Sequence, residues 1–252
     1  MSLLRYKYLC FVLCLTAIAR PAFAQNEAGE AMELTQKGLN AKSDSVYFEA
    51  IKTLMKNNDE QLAFRLFEQY ATLRPEVSDA WYELAKICYA DKKLDKAEGY
   101  IKKAIELNPT NKWYQEEYAS ILADMGNYKE AAKVMGQLSE AEPQDDSYLI
   151  AAAEYYERAK NYPVAMTYLD KAEVKRGADE EILMRKEHLY LNMNDVEHAA
   201  DMVRQLTEQQ PRNGKYYRLL GDLYDNNKLP HKAAEVYERA EKIIPEDPYV
   251  QM

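Results

Sequence analysis

The chain has 252 residues, 47% of them hydrophobic and 30% charged, with a formal net charge of −9. That balance suits a folded, water-facing protein and argues against disorder. An acidic surface opposes a phosphate backbone, so no nucleic-acid partner is expected. With only eight glycines and no alternating runs of Val, Ile and Thr, the expected fold is all-α.

The first 24 residues read as an export signal. A basic start (Arg5, Lys7), an apolar stretch from Tyr8 to Ala19, and small residues at Ala22 and Ala24 suit signal peptidase, which would leave Gln25 as the mature N-terminus. The apolar stretch is short for a membrane span, and Leu13 before Cys14 is too large for lipoprotein cleavage. Removal takes away Arg5, Lys7 and Arg20 and no acid, so the mature net charge becomes −12. Cys88 is then the one cysteine in an oxidising compartment, and no internal disulfide braces the fold. Residues 25–43 follow as a linker or N-terminal capping helix.

From there the chain repeats. Pro75, Pro109, Pro143, Pro211 and Pro245 lie on a grid with a step of 34, with Gly177 at the remaining position. Proline lacks an amide hydrogen and keeps its predecessor out of the α region, so each marks a helix end. Glycine does the same through positive φ. The grid also gives Ala63, Ala97, Ala131, Ala165, Ala199 and Ala233, and four residues further on the bulky Phe67, Ile101, Met135, Leu169, Val203 and Tyr237. The preceding helix shows its own stripe: Trp81, Leu84, Ala85 and Cys88 recur as Tyr217, Leu220, Gly221 and Tyr224, the i, i+3, i+4, i+7 face of an α-helix.

Short polar turns separate the two helices of each unit: residues 57–59, 125–127, 160–162, 193–195 and 225–227. Asn and Gly there are expected to close the helix in the left-handed conformation. Pro163 and Pro230 suit the first turn of the second helix. Small residues let paired helices approach closely, so Ala85 is expected against Ala97 and Gly221 against Ala233. One such pair cannot bury its apolar face, but stacked pairs share a continuous core.

These motifs, "WYELAKIC…KAEGYIKKAIELNP" at 81–109 and "YRLLGDLY…KAAEVYERAEKIIP" at 217–245, resemble the tetratricopeptide repeat. The resemblance implies a right-handed α-solenoid of six stacked helix-turn-helix units, at 44–77, 78–111, 112–145, 146–179, 180–213 and 214–247, with a short tail at 248–252. Two departures stand out. Gln115 takes the slot of Trp81, with Trp113 and Tyr114 beside it; and Lys186-Glu187 stand on the packing seam, where charge is costly unless it pairs or snorkels. Repeat 180–213 is therefore expected to be the least stable.

The first helices of such a solenoid line its inner wall. Positions off the packing stripe make a candidate partner-binding groove of Phe48, Lys52, Met55, Tyr82, Lys86, Tyr89, Trp113, Ile150, Met184 and Arg218. Its N-terminal half is apolar and aromatic with two lysines, and its C-terminal end is charged, as in an interaction groove. Some family members hold a partner's C-terminal carboxylates on this wall with lysines and asparagines. Here Ser120, Glu154 and Asp222 replace the asparagines, which does not support that route.

No catalytic, cofactor or metal set is expected. His188, His198 and His231 have no ligand spacing, Cys88 faces the core, and no phosphate loop occurs. The expectation is a non-enzymatic scaffold in the periplasm or at the outer membrane. It would bind a protein or peptide, with no small-molecule substrate, and could serve in a membrane complex. Its rivals are a periplasmic chaperone for extended segments and a sensory ectodomain cut from a longer chain. The last repeat has no polar helix covering Ile243, Ile244 and Tyr249, so self-association at that edge is a further expectation.

Overall fold

A computed structural model describes Tyr47, Ile51, Lys52 and residues 60–249. The export signal, residues 25–43, the turn at 57–59, Phe48 and Met55 lie outside the described residues. The described helices are α1 (Glu60–Leu73), α2 (Ser78–Ala90), α3 (Leu94–Leu107), α4 (Lys112–Asp124), α5 (Tyr128–Ala141), α6 (Ser147–Arg158), α7 (Tyr162–Arg176), α8 (Glu180–Asn192), α9 (Val196–Gln209), α10 (Gly214–Asn226) and α11 (Pro230–Ile243). No strand occurs among the described residues, and no helix there is long and apolar enough to cross a membrane. The chain divides into two compact units, Met1–Ile87 and Cys88–Met252, with the division inside α2.

In the first unit α1 buries Ala63, Leu66, Phe67, Tyr70 and Ala71, an uninterrupted helical stripe. Tyr47 stacks on Tyr70 with ring centroids 4.4 Å apart and donates its hydroxyl to the Leu66 carbonyl at 2.7 Å. The helix stops before Pro75, whose carbonyl accepts the indole N–H of Trp81 at 3.0 Å.

In the second unit each helix packs on the next, from α3 on α4 through to α10 on α11. This is the stacked helix-pair arrangement that the 34-residue grid implies. Ala97, Ala131, Ala165, Ala199 and Ala233 are at most 1% exposed, because small residues let packed helices approach closely, and Ala63 of the first unit is buried too. Ile101, Met135, Leu169 and Val203 fill the space beside them, all buried. Gly221, expected against Ala233, also has a bulkier neighbour on α11. A Cβ at Gly221 would lie 2.2 Å from the Tyr237 ring, so the glycine makes room for that ring.

The turns keep the same period. Lys92, Gly126, Lys160, Asn194 and Lys228 all have φ between 56° and 81°. The residue after each donates its amide to a carbonyl five residues back, Lys93 to Cys88 and Asn161 to Tyr156 among them, at 2.8–2.9 Å. These are the bonds of a Schellman closure. Asn and Gly were expected at the left-handed position, yet lysine holds it in three of the five turns. Gly177 ends α7 with φ 87°, as the sequence suggests.

Three charged side chains settle the seam of α8. Lys186, 7% exposed, reaches Asp170 at 2.6 Å and also Glu173, both on α7. Asp179 and Asp195 cap α8 and α9 through the amides of Ile182 and His198. The carboxyl of Glu187, 8% exposed, is held above the ordinary range by burial, opposed by the nearby His188.

Candidate functional site

In the first unit the ammonium of Lys86 lies over the Tyr82 ring at 5.3 Å from its centroid and 3.3 Å from the Glu83 carboxylate. Tyr82 and Lys86 are half-buried and Lys52 is exposed.

In the second unit the first helices α4, α6, α8 and α10 and the end of α2 are linked edge to edge by polar side chains. The Tyr89 hydroxyl bonds Asp124 of α4, and Lys92 meets the same carboxylate at 2.9 Å while covering the Tyr89 ring. Burial, then the Asp124 contact, pushes the Tyr89 hydroxyl up to about 12. Tyr148 of α6 donates to Glu116 of α4. Glu154 of α6 takes Arg158 at 2.8 Å and Arg185 of α8 at 3.8 Å, and Glu157 takes His188 at 3.1 Å and Asn192 at 3.4 Å. On α10, Asp222 takes Arg218 at 3.5 Å and the Tyr237 hydroxyl at 3.2 Å.

These groups neutralise one another, and no nucleophile is aligned with a base among them. Their geometry can bind and select by charge and hydrogen bonding. Among the described residues no three His, Cys, Asp or Glu side chains stand close enough to hold a metal ion.

Within this wall the predicted residues fare unequally. Trp113 is 59% exposed on the first turn of α4, below the Lys112 ammonium at 5.4 Å, and the Asn111 side chain caps its amide at 3.0 Å. Tyr89 and Met184 are half-buried and Arg218 is exposed. Ile150 is not a wall residue. It is 7% exposed and belongs to a core cluster with Leu149, Ala153, Tyr156, Ile182 and Leu189, because the next helix pair closes over it. Met184 likewise packs on Leu183, Leu206 and Tyr216.

Sequence reasoning passed over Arg158 and Arg185. Arg185 was visible as a cation four residues after Glu181, to which its guanidinium also pairs at 3.3 Å. Gln115 explains its own departure from pattern. Its amide donates to the Pro109 carbonyl at 3.3 Å, as Trp81 does to Pro75 and Tyr217 to Pro211 at 3.2 Å. In three repeats this slot holds a donor that reaches six residues back; in two others it holds Leu149 and Leu183.

Family models for the tetratricopeptide repeat match residues 78–111, and residues 119–181 and 188–248. The chain belongs to the tetratricopeptide-repeat family. Among solved structures, the C-terminal part of a TPR repeat-containing protein from Cytophaga hutchinsonii is 18% identical, with a TM-score of 0.57 over 78% of each chain. MamA is 13% identical, with a TM-score of 0.51 over 66% of this chain and 90% of that one. YrrB, a TPR protein with an unusual peptide-binding site, is 18% identical, with a TM-score of 0.49 over 73% of this chain and 95% of that one. At these identities the likeness is one of fold alone. No curated protein matches the chain. TPR arrays serve as protein–protein interaction scaffolds, and this TPR chain is built as one, with its polar and aromatic groups presented on stacked helices.

Proposed function

We propose that the mature chain is a non-enzymatic scaffold of the bacterial cell envelope that binds a partner protein, or an extended segment of one, along its first helices. One observation carries the reading: a tryptophan, a residue type enriched at binding hot spots, stands 59% exposed on α4, while the other first-helix aromatics among the described residues are buried or half-buried. The ring offers a large, rigid apolar surface, and Lys112 above it adds a cation. Beyond it, the alternating acids and bases of α6 and α8 select partners by charge. Export of the chain rests on residues 1–24, whose charge and hydropathy pattern suits a cleaved signal.

The test is a cross-linked pull-down of tagged mature chain (residues 25–252) from the envelope fraction of its own cells, beside Trp113→Ala. Capture of one or two proteins that bind the variant about 30-fold more weakly, roughly 2 kcal/mol, is the expected result. Equal capture by both forms would remove the wall from the account. A broad set of clients, all lost in the variant, would point to a chaperone. N-terminal sequencing of the exported chain should begin at Gln25, and an intact Met1 would overturn the envelope assignment.

A further inference from the structure

A cavity of about 280 Å³ opens between the second helices α9 and α11, over the buried face of α10. Arg204, Lys232 and Arg239 line it, with Glu235 as the only acid in the lining. The buried Thr207, Tyr217 and Leu220 form its floor, and Val236 one side. Within a chain of net charge −9 this is a local inversion of sign.

The preceding helix junctions show why the space exists. Residues 34 and 68 positions earlier occupy the equivalent places. Between α5, α6 and α7 the matching groove is closed by Tyr168, whose ring lies over Gly136 and stacks on Tyr156 at 5.4 Å. Between α7, α8 and α9 it is filled by Lys186, drawn between Asp170 and Glu173. At the last junction Val236 replaces Tyr168, Leu220 replaces Lys186, and Arg204 stands where Asp170 stood. The earlier junction has acids and an internal cation to satisfy them. The last has three cations in its lining against one acid, Glu235, which forms no ion pair among the described residues.

The cations are partly committed, which limits what can enter. Arg204 pairs with Asp201 and donates to the Tyr224 hydroxyl at 2.9 Å, while Lys232 pairs with Glu197 at 2.5 Å and lies over the Tyr224 ring at 5.5 Å. Asp201 and Glu197 sit outside the cavity lining. Arg239 forms no ion pair among the described residues. The Tyr224 hydroxyl, already accepting from Arg204, keeps its own hydrogen to donate. Such a site suits a single negative charge better than a phosphate dianion, and its floor suits an apolar stem.

We propose that this cavity binds a carboxylate carried on a short apolar stem, with Arg239 and Tyr224 on the carboxylate and Leu220 and Val236 against the stem. The site is separate from the first-helix wall. Two sources share this chemistry: the C-terminal residue of a polypeptide, and a free organic acid.

The test titrates the isotope-labelled mature chain with hexanoate and with acetyl-glycyl-leucine, each beside its neutral amide, following the backbone amide signals of Thr207, Tyr224 and Arg239. Saturable shifts with at least one carboxylate and none with the amides are expected, with affinity falling about tenfold in Arg239→Gln. Arg239 is exposed, so the variant should fold, and Lys133→Gln on α5 should bind like the native chain. Tighter binding of the dipeptide would name a chain end as the ligand, and tighter binding of hexanoate a free acid. Equal shifts with the amides, unsaturable shifts, or unaltered binding by Arg239→Gln would overturn the proposal.

Discussion

Lys160 sits at φ 56°, a conformation that its β-carbon opposes by roughly 1 kcal/mol and that glycine adopts freely. Its carbonyl neighbours are fixed by the closing bonds of the turn, so the backbone cannot relax to escape the strain. Lys160→Gly should therefore stabilise the chain by about 1 kcal/mol in urea unfolding, whereas an unchanged or lower midpoint would contradict that reading. Glu187 carries a different burden. Its folded-state pKa lies above the unfolded one, so the folded state holds the extra proton and stability is lost as pH rises through the carboxylate range. Glu187→Gln should gain about 1 kcal/mol near neutral pH, with the gain shrinking as pH falls toward about 4. A gain that is constant with pH would mean that charge is not the cause. The sequence reading placed Glu187 on the seam correctly. It missed the left-handed lysines, because lysine carries no local signal for positive φ and only the 34-residue register reveals the position.

At the scale of the element, α8 is the weak member of the stack. Its seam residues are Lys186 and Glu187, where α2 carries Leu84-Ala85 and α10 carries Leu220-Gly221. Lys186 is stabilised only through Asp170 and Glu173 of α7. Lys186→Ala should cost about 2 kcal/mol, since it opens a void and leaves two acids facing each other, and Lys186→Met should recover most of that loss. Equal losses in both variants would show that the charge, and not the stem, holds α7 to α8. Amide exchange should be fastest across residues 180–213, and the lowest protection falling in another repeat would refute the ranking. The helices themselves were legible because proline, alanine and bulky residues recur at fixed register. The burial of Ile150 was not, because a position off one helix's own stripe can still be covered by the next pair.

For the whole molecule, one period organises the helix ends, the crossings and the turns, and this is why the family could be read before any coordinates. The division at Ile87 and Cys88 left no such trace, since it falls inside a regular helix with good local propensity. Partner choice is less legible still: the side chains that set it lie off the packing stripe and obey no repeat. The account's central claim is that a partner seats on the first helices. Amide exchange of the mature chain, alone and saturated with the protein captured through Trp113, tests it most directly. Slowed exchange in α4, α6 and α8, with α5, α7 and α9 unchanged, is the predicted result. Slowing confined to the second helices would contradict it.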